Sequence, residues 1–201
     1  MNNTKSLLVP MAACSLLLVA CSGSDDSDNT SADTVSAFDG IFLRECLDDE
    51  DGSEELLLSI DGTEGVLTLD EFEGSGCVIE QFDVDIQIEL AFGDLLIFPA
   101  TGFSGQEVDL IFGDVTLTPA TSEVALALNT SSFCGITTFA EGESSVIPDG
   151  CDAFSDFDGT SFNVIALEDE TIFLGATEAL LNTPEDRPTE LDITEAFVRI
   201  P

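Results

Sequence analysis

Phe82-Asp83-Val84-Asp85-Ile86-Gln87-Ile88-Glu89-Leu90-Ala91-Phe92 decides the fold. Phe82, Val84, Ile86, Ile88, Leu90 and Phe92 are all apolar, and Asp83, Asp85, Gln87 and Glu89 stand between them. Alternation with period two puts one set of side chains on a dry face and the other on a wet face, the signature of a half-buried strand. At about 3.4 Å per residue this strand runs about 35 Å, longer than most and suited to a twisted meander or barrel.

Shorter segments repeat the pattern on both sides. Gly40 to Cys46, Glu55 to Asp61 and Gly65 to Phe72 precede the long strand, with Asp61-Gly62 as a hairpin signal between the second and third. Leu95 to Phe98, Val108 to Phe112 continuing to Thr118, Phe162 to Leu167, Thr171 to Leu174, and Asp192 to Ile200 follow it, and Gly113 marks a bulge. Eight or nine strands joined mainly by short turns predict an all-β antiparallel meander that curls and closes into a barrel, which removes exposed edges. One insertion interrupts it. Pro119 ends a strand, Thr121 or Ser122 caps a short helix reaching Asn129, and Glu123 lies at its positive end. Val124 and Leu128, four apart, are expected to pack on the sheet or over a barrel mouth. A second helical turn is read at Glu178 to Leu181, stopped by Pro184.

The start of the chain reads differently. Lys5 supplies a positive charge, and Leu7 to Ala20 form an apolar block too short to span a bilayer, as in an export signal over residues 1–20. Leu18-Val19-Ala20-Cys21 resembles a bacterial lipobox, which implies that Cys21 becomes the first mature residue, thioether-linked to diacylglycerol. Ser22 follows that cysteine, where lipoproteins retained in the inner membrane typically carry Asp, so the resemblance points to the outer membrane. Residues 21–36 are Ser, Gly, Asp, Asn and Thr with little apolar content, and are expected to form a flexible acidic tether to a single domain over residues 37–201.

The whole chain carries 41 Asp and Glu against four Lys and Arg, a formal charge of −37. Without Lys5 the basic residues are Arg44, Arg187 and Arg199. Such a field repels phosphate backbones and disfavours nucleic-acid binding. It suits a solvated surface in saline surroundings, with weak divalent-cation binding as the sharper reading. The run Asp48-Asp49-Glu50-Asp51-Gly52 and the turn Asp156-Phe157-Asp158-Gly159 are the places for such binding. The first lacks the alternating ligand spacing and terminal Glu of an EF-hand and reads as a solvated hairpin tip, and the second reads as a turn into the strand beginning at Phe162.

Beyond Cys21, four candidate disulfide cysteines remain in the domain: Cys46, Cys77, Cys134 and Cys151. An even count in an oxidising compartment reads as two disulfides, for which three pairings exist. Proximity in sequence favours Cys46 with Cys77 and Cys134 with Cys151. The chain has no His and no Cys-x-x-Cys, so no metal centre and no cofactor site is assigned. No catalytic residue is assigned either. General-base work near neutral pH falls most often to His, and with 41 acids some carboxylate pair is always suitably spaced by chance.

Gly40-Ile41-Phe42 opening the first strand, with Arg199 in the last, resembles the lipocalin and calycin signature, in which Gly-x-Trp on strand one is covered by an Arg from the final strand. Phe42 stands in place of the Trp, which keeps an aromatic face for a cation–π contact and loses the indole donor. Glu45-Cys46, Gly76-Cys77, Val115-Thr116-Leu117-Thr118-Pro119, Ser132-Phe133-Cys134-Gly135-Ile136 and Arg187-Pro188-Thr189-Glu190-Leu191-Asp192 are similar to segments of uncharacterised bacterial lipoproteins with a lipocalin-like β domain. That resemblance covers about residues 38 to 201 and implies a barrel, a lipid anchor in the cell envelope, and disulfides. It brings no activity with it.

Two functions are expected from these readings. One is a membrane-anchored binding module whose inward side chains, Phe82, Val84, Ile86, Ile88, Leu90 and Phe92, enclose a small apolar or lipid-like ligand. The other is an envelope structural or interaction protein with an acidic outer face and no internal ligand.

Overall fold

A computed structural model of the chain describes residues 36–48, 52–176 and 183–201. Among the described residues nine strands are formed: β1 (Gly40–Asp48), β2 (Gly52–Asp61), β3 (Glu64–Glu73), β4 (Glu80–Ile97), β5 (Ser104–Pro119), β6 (Ser145–Val146), β7 (Thr160–Glu168), β8 (Thr171–Leu174) and β9 (Phe197–Ile200). Every pairing is antiparallel. Strands β1 to β5 follow one another as a meander, β5 then pairs with β7, and β7, β8 and β9 return to β1. Eight strands thus close a ring, and β6 lies outside it on β5. The helix α1 (Ser122–Ser131) is the expected insertion, and Thr121 caps it by accepting a hydrogen bond from the Val124 amide at 3.2 Å.

The strand boundaries follow the alternation, with instructive departures. Leu95 to Phe98 is not a separate strand: β4 runs on through a register shift between Phe92 and Leu95 and reaches Ile97. A bulge absorbs the break in polarity at Gly93-Asp94, and the ladder resumes beyond it. Gly113 sits at the other irregularity, where the register passes from Ile86–Val115 to Ile88–Phe112. The last strand is only four residues long, because Asp192 takes the amide and hydroxyl of Thr194 at 2.8 and 2.7 Å and turns the chain away before Phe197. In α1 it is Ala125, more than Val124 or Leu128, that is buried against the sheet. The helical turn expected at Glu178 to Leu181 lies outside the described residues, as do Cys21 and all of the tether except Ser36.

One cluster fills the barrel. Phe42 from β1, Leu58 and Ile60 from β2, Val84 to Leu90 from β4, Val108, Val115 and Leu117 from β5, Ile165 from β7, Ile172 from β8 and Phe197 from β9 meet in it. Burying each such side chain contributes about 1.5–3 kcal/mol. A second, smaller cluster lies outside the ring. The end of the β4–β5 hairpin folds Phe98 onto Val164 and Ala166 of β7, with Leu191 beside them.

Candidate functional site

The inward positions of β4 separate into two groups. Val84, Ile86, Ile88 and Leu90 are buried in the barrel, whereas Phe82 and Phe92 are half-buried near its two ends. Phe42, Val84, Ile86, Val108, Ile165 and Ile172 have 0% accessible surface. A side chain lining a void large enough for water would retain some, so around these six the interior is filled by neighbouring side chains. An eight-stranded barrel is just wide enough for that.

Both ends are covered. At the end where β1 begins, the turn Ser36–Phe38 brings the Phe38 ring to 5.4 Å from that of Phe92, stacked and 4% exposed. Asp39 fixes the entry by accepting the amide of Gly62 at 2.8 Å, in the β2–β3 hairpin whose φ of +65° suits glycine. At the opposite end Ala125 of α1, Phe139 and Ile147 pack on the core, with Phe133, Phe154 and Phe157 against them. Two disulfides brace that end: Cys46–Cys77, with Cα atoms 5.9 Å apart, joins β1 to the turn before β4, and Cys134–Cys151, at 5.3 Å, ties the segments after α1.

Gly40, Phe42 and Arg199 come together. The Arg199 guanidinium lies 4.4 Å from the Phe42 ring centroid, donates to the Asp39 and Ala37 carbonyls, and pairs with Glu170. Gly40, at φ +146°, leaves space that a Cβ would take from that guanidinium. The other two arginines are held in the same manner. Arg44 bridges Glu54 at 2.5 Å and Glu195 at 2.8 Å, 5.9 Å from the Phe197 ring. Arg187 donates to the carbonyls of Val108 and Asn163 at 2.9 and 2.5 Å and to Asp109 at 2.7 Å, beside the Phe162 ring. Each cation therefore serves the barrel wall.

The outer face of β2, β3 and β4 carries acids in register: Glu55 opposite Asp70, and Asp70 opposite Asp83. Burial, together with the neighbouring carboxylates, raises the Asp70 and Asp83 carboxyls above the ordinary range. Glu80 is raised by its hydrogen bond to Asp83 and by the charge of that group. Asp192 is lowered, because the hydroxyl and amide of Thr194 favour its charged form. Among the described residues no group of three or more His, Cys, Asp or Glu is arranged to hold a metal ion. Asp48 accepts the Gly76 amide at 2.7 Å, and Asp49 to Asp51 lie outside the described residues; Asp156 and Phe157, expected in a turn, end a 3-10 helix over Asp152–Phe157, and Asp158-Gly159 lead from it into β7.

The grooves lie outside the filled core. One of about 520 Å³ runs past Ser53, Glu54, Glu71, Phe72, Gln81 and Phe82 at the disulfide-braced end, so Phe82 meets solvent there. Another, of about 330 Å³, lies where β5 parts from β6 and β7, with Phe112, Phe154 and Phe157 as apolar wall and Asp114, Asp149 and Asp152 at the rim. No family model matches this chain, and no curated protein matches it in sequence.

Sequence reading missed the Phe38 plug, the Arg44 and Arg187 clamps, and the outer cluster beneath Phe98. A signal existed for the clamps: the three arginines of a chain with 41 acids are bound to be surrounded by carboxylates.

Proposed function

We propose that the protein is a lipid-anchored module of the bacterial cell envelope that acts through its acidic outer surface, on a partner of opposite charge. The observation that carries this reading is the packed interior. Side chains with no accessible surface fill the centre of the barrel, and Phe38 at one end and α1 with the following loops at the other cover it. An apolar ligand would have to displace those side chains, at a cost of several kcal/mol of packing. The exterior needs no rearrangement to meet a cationic surface, and its charge accelerates such an encounter. The lipobox-like run ending at Cys21 supports the anchor. Ser36, where the tether would join the domain, lies at the Phe38 end.

Crosslinking in intact cells tests the proposal. Adducts with basic proteins, lost when Cys21→Ser releases the chain from the membrane, are expected. Recovery of uncrosslinked monomer alone would count against it. Displacement of fluorescent fatty acids from the full chain distinguishes the apolar-ligand reading: saturable displacement would favour an internal ligand over surface recognition.

A further inference from the structure

Ring closure pairs most strand edges, and among the described residues one stretch left without a partner strand lies on β4. β3 begins at Glu64, opposite Glu89 of β4, and the last bond across that boundary runs from the Leu90 amide to the Thr63 carbonyl at 2.8 Å. β4 continues for seven more residues, Ala91 to Ile97, paired on its other side with β5. Among the described residues nothing pairs with the free side of this extension. The Phe98 amide donates to the Phe103 carbonyl at 2.9 Å, so Leu96 also points its backbone toward β5. By alternation, Leu95 and Ile97 direct their N–H and C=O groups away from the barrel.

Their side chains are open to solvent. Leu95 is 71% and Ile97 75% exposed, while Leu96 and Phe98 on the opposite face pack in the outer cluster. Natural edge strands are normally blunted by charge, proline or a bulge. Here the bulge and Asp94 guard only the near end, and residues 95–106 contain no charged side chain in a chain of net charge −37. Glu89 and Asp94, both exposed, precede the neutral edge, so carboxylates stand at one of its two ends.

We infer that the free edge of β4 at Leu95–Ile97 takes up an extended strand of a partner protein, apolar where it meets that edge and bearing Lys or Arg at the end that meets Asp94 and Glu89. Main-chain bonds to Leu95 and Ile97 would supply affinity, and their side chains would set register. The carboxylates at its near end choose the charge of the partner. A second copy of the chain would bring two strongly acidic bodies together, whereas a basic strand meets attraction at Glu89 and Asp94. The inference rests on the proposal that the acidic surface meets a basic partner, and names where.

The probe is a short peptide of alternating Val and Thr with paired Lys at each end, titrated into the full chain beside a control of equal charge, N-methylated on the amides that would face β4. The unmodified peptide is expected to bind at least tenfold more tightly and to slow hydrogen exchange of the Leu95 and Ile97 amides. Ile97→Pro removes an N–H that points away from β5, and should abolish the tenfold preference. Ile97→Lys should do the same by charge repulsion if the proline variant fails to fold. Equal binding of the two peptides would overturn the edge site while leaving a basic partner elsewhere on the surface. Binding of neither would overturn both. Concentration-dependent self-association of the wild type, lost in Ile97→Lys, would replace the partner strand by a second copy.

Discussion

Around β9 the arginines are wrapped by carboxylates and aromatic rings, whereas on β2, β3 and β4 carboxylates face one another across the ladder. The two regions differ first in backbone. β9 pairs with β8 only at Thr171–Val198 and Ile172–Phe197, and with β1 from Ile41 to Leu43. Main-chain bonding alone is sparse at this seam. Arg44 and Arg199 tie it from the side, through Glu54 and Glu195 and through Glu170 and two carbonyls. β2 and β3 pair along their whole length, from Gly52–Glu73 to Asp61–Glu64. A long ladder over a full core tolerates the repulsion of Glu55, Asp70 and Asp83, which a four-residue strand would not. Attractive charge is therefore concentrated where the backbone is weakest, and repulsive charge sits where it is strongest.

Breaking the attractive side should produce the largest effect. Arg187 clamps β5 and β7 from the segment leading to β9, and its removal leaves the Val108 and Asn163 carbonyls and Asp109 without their donor. Arg187→Ala is expected to destabilise the domain by about 3–4 kcal/mol, lowering Tm by roughly 6–16 °C at 2–4 °C per kcal/mol. Urea denaturation would measure it, and a loss below about 1 kcal/mol would remove this clamp from the account. Arg199→Lys comes next. It keeps the charge but not the planar group that stacks on Phe42 while donating to two carbonyls, and about 2 kcal/mol should be lost. Equal stability of the two proteins would reduce the role of Arg199 to charge alone.

The same contrast explains what could be read from the sequence. Alternation from Phe82 to Phe92 is local, and it places the inward face of β4 before any pairing is known. Closure into a ring of eight follows from strand number and short turns. Whether that ring is filled depends on the summed volume of side chains from all eight strands, so Val84 and Ile86 look the same on paper in a cup and in a packed core. The Arg187 clamp joins residues 78 and 79 positions apart, a distance over which no periodicity carries information. The Phe38 plug was hidden because a single aromatic residue in a polar segment has no pattern to belong to. The free edge of β4 was hidden for another reason: it exists because β3 starts at Glu64, well after β4 has run past it.

The repulsive side offers the finer test, since relieving it should stabilise the fold. Asp70 and Asp83 stand opposite each other with raised carboxyl pKa values, and like charges directly across a ladder cost about 0.2–1 kcal/mol. A raised folded-state pKa means that the native protein binds protons more readily than the unfolded chain. The associated stability is fully present below the unfolded value, about 3.9 for Asp, and is lost as pH rises through the raised values. Asp192 works in the opposite sense. Its lowered pKa gives stability that is present above about 3.9 and is lost as pH falls through the folded value, so it contributes no slope near neutrality. Asp83→Asn should therefore raise stability by about 0.5–1 kcal/mol at pH 7. The gain should shrink as pH falls through the raised values and the wild-type carboxyls take up protons, and also in molar NaCl, where screening acts over about 3 Å. Denaturant titrations at several pH values follow both trends. A gain that stayed constant with pH would mean that the amide helps by packing or hydrogen bonding, and that β2, β3 and β4 bear their facing acids without strain.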